Sequence, residues 1–273
     1  MKKLILWTLV FTSFTLLLIN ASLIATETTP PTGKSITNSL DMKFMLIPAG
    51  SFMMGSPPDE YERDYREEKP HKVMISKPFY LQTTEVTQGQ WRRVMQYNPS
   101  AFKDCGKNCP VQRVTWHDAQ EFIGRLNMLE GTDKYRLPTE AEWEFACRAG
   151  TTTPFFTGLC ISTDQANYNG NDPFRGCPKG KNRKSTVRVA KFPPNGWGLY
   201  DMHGNVWEWC QDWYGEYSAY NVTDPKGPSS GTYRVLRGGS WLSLAGYSRS
   251  ACRMGHYPST REDHIGFRVA RDF

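Results

Sequence analysis

Histidine is scarce in this chain. Five are spread over 273 residues, His71, His117, His203, His256 and His264, with no paired spacing. That excludes a helix-borne H-E-x-x-H zinc site, and each isolated imidazole is read as a structural residue before a ligand. A P-loop is also missing, which removes the P-loop phosphate binders. No heptad pattern and no repeat of 20 to 50 residues runs through the chain, so neither a coiled coil nor a solenoid is expected. Lys and Arg number 33 against 27 Asp and Glu. That excess forms no stripe interleaved with aromatics, so nucleic acid is not an expected partner.

Only residues 4–19 form a long apolar run. Lys2 and Lys3 precede it and small residues follow as far as Ala25, the plan of a signal peptide over 1–25. A single membrane anchor is the competing reading; the short run and its Thr12, Ser13 and Thr15 favour cleavage. No cysteine follows the run, so a lipoprotein signature is lacking. The expectation is an exported chain, periplasmic or extracellular, with no membrane span after cleavage. A Thr/Pro/Ser-rich linker is expected over 26–40 and one domain over 41–273. In an oxidising space seven cysteines imply disulfides with one thiol left over. Cys105 and Cys109, in DCGKNCP, could close one small loop, and Cys160 and Cys177 a second. Zinc at the first pair would need a second ligand pair that the sequence lacks. Cys147, Cys210 and Cys252 remain, and spacing does not pair them.

Residues 42–56 alternate apolar and polar and turn at Ala49-Gly50, which predicts a hairpin. Residues 59–70 are dense in charge and predict a solvated loop; residues 71–87 are strand-like. Thr87, Thr115 and Thr139 are candidate helix caps, the last with Glu142 at capping-box spacing, and Gly150 is the expected stop of the third helix. Beyond Thr151 loops dominate, with short β-like runs at 186–192 and 266–273. With 23 Gly, 18 Pro and nine Trp, the composition points to a single α+β domain rich in irregular loops.

IPAGSFMMGS, EVTQGQW, RLPTEAEWEFACRAG, FPPNGWGLYDMHGNVWEWCQDWY, RVLRGGSW and IGFRVARDF occur in this order. Together they resemble the formylglycine-generating enzyme (sulfatase-modifying factor) family over residues 42–273. The resemblance implies a C-type-lectin-like fold. Enzymes of that family oxidise a sulfatase cysteine to formylglycine, using copper held by two cysteines shortly after the GGS-aromatic motif. The matching positions here are Ser243 and Ser248, and no cysteine lies between Trp241 and Arg249. Soft copper requires thiolates, so no copper is expected and the expectation turns from catalysis to binding. Sulfatase modification, or other oxidoreductase chemistry of the family, is the alternative. The resemblance also implies a Cys147–Cys252 disulfide, with Cys210 unpaired. It implies a candidate calcium site in YDMHGNVWEW, formed by the side chains of Asp201 and Glu208 and the carbonyls of Gly204 and Val206. In the competing reading Asn205 and Glu208 brace the backbone, and Trp207 and Trp209 are core. A second family calcium site, near Asn167, is not carried over, because Lys181 stands where a carboxylate belongs.

The C-terminal segment 234–273 holds stiff frame letters around contents without pattern. It is similar to the variable proteins of diversity-generating retroelements, in which a reverse transcriptase rewrites adenine positions. Leu242, Ser243, Leu244, Gly246 and Tyr247, then His256, Tyr257, Ser259, Thr260, Asp263 and His264, can all be written by codons ending in C, as rewritten Asn codons are. No Asn follows Asn221. Met254 and Glu262 do not fit that code. With Trp241, these are the candidate ligand-binding residues, expected on one exposed face that meets a protein or a cell-surface ligand. Tyr, Ser and Gly are adaptable contact residues of the kind antibody loops use. Arg237, Arg249, Arg253 and Arg261 are expected to be frame, held in internal hydrogen bonds.

Overall fold

The computed structural model describes residues 34–64 and 68–273. The expected signal peptide lies outside the described residues, as does most of the expected linker. Three threonines start the three α-helices of the described residues: Thr87 before α1 (Gln88–Met95), Thr115 before α2 (Trp116–Glu130) and Thr139 before α3 (Glu140–Arg148). Each hydroxyl accepts from the amide three residues on. The side chains of Gln90, Asp118 and Glu142 return a bond to the cap N–H. Two orphan donors are thereby satisfied at each helix start, a purely local effect. α3 stops one residue before the expected glycine, with Ala149 in the left-handed region at φ 46°.

In chain order the strands are β1 (Ser35–Thr37), β2 (Lys43–Ile47), β3 (Gly50–Met54), β4 (His71–Ile75), β5 (Phe79–Gln82), β6 (Tyr135–Arg136), β7 (Trp207–Trp213), β8 (Val222–Thr223), β9 (Arg234–Arg237), β10 (Arg253–His256), β11 (Ile265–Gly266) and β12 (Ala270–Asp272). They form three sheets, ordered β1-β2-β5-β12-β6, β10-β9-β7-β11 and β3-β4-β8. β1 takes up part of the segment expected to be linker. Ile36 pairs with Phe44 and packs on the core.

The hairpin expected at Ala49-Gly50 does not form. β2 pairs with β1 and β5, whereas β3 pairs with β4. Alternation sets which residues face inward but does not choose the partner strand. Phe44 joins a core with Trp91 and Phe122; Met54 joins a second core with Trp143 and Phe145. Residues 186–192 form no strand either. Their amides are met singly, Val187 N–H by Asn205 Oδ1 and Val189 N–H by the Asn108 carbonyl. The loop expected to be solvated turns inward in part, for Glu60 and Glu68 are both buried. Among the described residues, no helix is long and apolar enough to cross a membrane.

Candidate functional site

β9 and the loop after it carry the frame. Arg237 is fully buried. It donates to Glu144 Oε2 at 2.5 Å, to the Ser250 carbonyl at 2.8 Å and to the Ala251 carbonyl at 2.9 Å. Arg249 donates to Glu60 at 2.5 Å, to both oxygens of Glu68 at 2.8 Å, and to the carbonyls of Glu62 and Gly246. Arg253 grips Glu140 with two bonds of 2.7 and 2.8 Å. Buried guanidinium groups need such partners, because an uncompensated interior charge is costly. Arg261 is different: it is exposed, reaching the Arg113 carbonyl and Asp118 from outside.

Between these anchors the chain turns tightly. Ser243 Oγ accepts from Ser240 N–H and lies 3.0 Å from Ser240 Oγ, while Ser243 N–H donates to the Ser240 carbonyl. The turn leaves Leu242, Leu244 and Tyr247 exposed at 53, 42 and 55%. Trp241 links this loop to the second segment. Its amide donates to the Asn205 carbonyl, its indole N–H reaches the Asp263 carbonyl at 3.4 Å, and its ring packs edge-on against Phe102. In the second segment Tyr257, Ser259 and Glu262 are exposed, and Met254, His256, Thr260, Asp263 and His264 are half-buried. Thr260 Oγ1 lies 2.6 Å from His256 Nδ1, and Tyr257 packs against Tyr233. Gly246 departs from the expected contact set. It is buried, and a Cβ there would collide with the Glu62 carboxylate, so its role is to let Glu62 lie close.

Cys105–Cys109 and Cys160–Cys177 are disulfides. The expected Cys147–Cys252 bond is corrected: both are free, buried thiols, as is Cys210. Cys147 belongs to the core that takes Val235, and Cys252 to the core that takes Leu236. These neighbours on β9 point to opposite faces of the sheet, and the two sulfurs follow them. Burial pushes both the Cys147 and Cys252 thiols up to about 12. At the two positions where the family's copper thiolates would stand, Ser243 Oγ is tied to Ser240 and Ser248 Oγ is buried without a partner among the described residues.

The expected calcium set is also altered. Both Glu208 oxygens are taken by Arg268 at 2.7 Å, and one also by the Trp143 indole at 2.8 Å, so Glu208 braces the fold. Trp207 and Trp209 are core. Gly204 and Val206 flank Asn205, a hub that sequence reasoning left as a brace at most. Asn205 Nδ2 donates to Glu85, and its Oδ1 accepts from Asn167 and from Val187 N–H. Asp201 is buried beside Glu85, and Asp201 Oδ1 and Glu85 Oε2 have no partner among the described residues. Burial, chiefly, raises Asp201 to about 6 and holds Glu85 well above the usual carboxylate range. Among the described residues no group of three or more His, Cys, Asp or Glu is placed to hold a metal ion. Glu85 carried no sequence signal of its own, since it reads as part of a strand end.

A raised carboxyl binds its proton more tightly in the folded than in the unfolded chain. The stabilisation is therefore complete below about pH 4 and is lost as pH rises through about 6. Glu85→Gln keeps an acceptor for Asn205 and removes one acid. The expected outcome is a smaller fall of the thermal midpoint between pH 4 and pH 7 than in the parent, measured by circular dichroism.

A family model described as "Sulfatase-modifying factor enzyme 1-like domain" matches residues 32–273. The serine/threonine-protein kinase pkn1 of Chlamydia pneumoniae is 35% identical over 263 residues, covering 84% of this chain and 38% of that protein. The formylglycine-generating enzyme of Mus musculus is 33% identical over 219 residues, covering 74% and 53%. The chain thus spans about 38 to 53% of the length of these curated relatives. Treponema denticola variable protein 1 superposes with a TM-score of 0.75 at 29% identity, covering 89% of this chain and 100% of that one. PvdO from Pseudomonas aeruginosa gives 0.75 at 30% identity, covering 89% and 99%. These likenesses agree with the α+β, loop-rich fold expected from sequence.

Proposed function

The chain belongs to the sulfatase-modifying factor enzyme 1-like domain family, and we propose that it is an exported, non-catalytic member that binds a protein or cell-surface ligand through residues 241–248 and 254–264. The observation that carries this reading is a division within one loop. Ser240, Ser248, Arg249, Ser250 and Arg253 are buried, while Leu242, Leu244 and Tyr247 between them are exposed. Apolar and aromatic side chains gathered outside a rigid frame are what a contact surface requires, since Tyr and Trp dominate interface energetics. Likeness to a variable protein supports the finer proposal that this face is diversified. A locus carrying a reverse-transcriptase gene and a near-copy of codons 234–273, differing only opposite adenines, is its expected setting.

Two measurements test the binding reading. Supplied with copper and a sulfatase-motif peptide, the protein is expected to leave the peptide thiol intact by mass spectrometry; copper-dependent aldehyde formation would refute the non-catalytic assignment. Replacing Leu242, Leu244, Tyr247 and Tyr257 together by serine is expected to move the thermal midpoint by only a few degrees, since exposed substitutions change stability by about 0.5 kcal/mol or less each. A collapse of the fold would mean that these side chains serve the frame.

Calcium belongs to the proposal with one exchanged ligand, Glu85 in place of Glu208. Hard, unpaired carboxylate oxygens suit this ion, and Asp201 and Glu85 are the acids here that have them. A bound ion would offset the charge of the two carboxylates, holding the loops around Asn205. Calcium is then expected to raise the midpoint of the parent at pH 8 and not that of Glu85→Gln.

A further inference from the structure

A second recess involves none of the exposed residues of the 241–264 surface. It is a cleft of about 510 Å³ between the start of α3, the end of β7 and the 215–228 segment, a volume in the range of small-molecule sites. Val222, Pro225 and Pro228 give it apolar walls. Asp212, only 3% exposed, lines it. Asp212 Oδ2 accepts from the Glu140 N–H at 2.9 Å, while Oδ1 has no hydrogen-bond partner among the described residues.

The other charged and titratable groups around Asp212 are engaged or stand at the rim. Glu140 is gripped by Arg253, lies 3.4 Å from Arg237, and accepts from the Tyr217 hydroxyl at 3.0 Å. Glu142 is paired with Arg136. Arg234 donates to the Gln211 carbonyl and stacks on Trp213. His71 packs against Tyr217, and its Nδ1 lies 3.0 Å from the Lys69 carbonyl. A carbonyl only accepts, so Nδ1 carries a proton, and in the neutral ring Nε2 is an acceptor. Glu216, paired loosely with Lys69, and Lys226 line the outer part. Burial, then the charge of Glu140, pushes the Asp212 carboxyl up to about 8; its bond from the Glu140 N–H and the charge of Arg253 oppose this, and Glu142 adds to it. An arriving cation therefore meets, at Asp212, a field in which Glu140 and Glu142 count for more than Arg253, and an acid that its charge helps to ionise. An arriving anion meets the same field with the Asp212 hydroxyl and Lys226 as its donors.

We propose that this cleft binds a small organic ammonium ion, which donates to Asp212 Oδ1, His71 Nε2 and the Glu216 carboxylate while its carbon skeleton packs on Val222, Pro225 and Pro228. Binding exchanges only a proton: the ligand enters as a cation and the Asp212 hydroxyl proton leaves to solvent.

The test uses phenethylamine, with phenethyl alcohol and phenylacetate as matched neutral and anionic probes. Each is titrated calorimetrically into the whole protein at pH 6.5 and pH 8.5, in two buffers of different ionisation heat. The amine is expected to bind about twentyfold more tightly at the higher pH, with close to one proton released at the lower. The alcohol and the acid are expected to bind at least about tenfold more weakly. Asp212→Asn retains an acceptor for the Glu140 N–H and is expected to abolish the pH dependence and the preference for the amine. Ser218→Trp, on the exposed rim, leaves Asp212 in place and is expected to block binding with the thermal midpoint held within a few degrees. Equal affinity for the three probes, amine binding that survives Ser218→Trp, or no amine binding up to about 10 mM overturns the proposal.

Discussion

Arg249→Met is expected to lower folding stability by about 3–5 kcal/mol, the usual cost of removing one partner from a buried ion network. Arg249 is 1% exposed and faces two buried carboxylates, Glu60 and Glu68. Burial already raises Glu60 despite the guanidinium beside it. Without Arg249 both acids lose their counter-charge, and the Glu60 carboxyl, already raised by burial, is raised further. The variant should therefore regain stability as pH falls, opposite in sign to the loss of an ordinary surface salt bridge. Urea denaturation at pH 5 and pH 8 measures both effects. Arg249→Met combined with Glu60→Gln and Glu68→Gln is expected to recover much of the loss, because all three charges are then gone. A loss of under about 1 kcal/mol for the single variant would place the pair in the class of solvated surface bridges and remove the basis for calling this loop a frame.

Glu208→Gln is expected to cost a similar amount, about 3–5 kcal/mol, and by the same margin in calcium and in EDTA. Glu208 is 1% exposed and holds Arg268 through two bonds and Trp143 through a third. The amide leaves the buried Arg268 charge without its partner and cannot accept at both former oxygens. Equality of the two losses separates a brace from a calcium ligand. A loss confined to calcium-containing buffer would return Glu208 to the metal.

Legibility along the chain followed the range of the forces involved. The Thr-x-x-Glu spacing at Thr139 and Glu142 is satisfied within one helical turn, so sequence and structure agree there. The charges at residues 59–70 resemble any solvated loop, and the partner that buries Glu60 and Glu68 lies more than 180 residues away at Arg249. Cys147 and Cys252 resemble a pair by family, yet Val235 and Leu236 sort them into different cores. Asp201 was legible as an acid in a tight loop. Its neighbour Glu85 was not, because 115 intervening residues contribute nothing local to that contact.

The sequence by itself determined the helix starts, the two short-loop disulfides, the absence of thiols at residues 243 and 248, and the family's α+β fold. Each of these rests on residue identity at a given place or on contacts a few residues apart. Tertiary structure decided which strands pair, which thiols remain free, which acids receive an arginine, and which C-terminal residues reach water. Those outcomes depend on burial, which raises the cost of every unpaired charge and polar atom. Burial is a property of the packed whole, set only when distant segments close over one another.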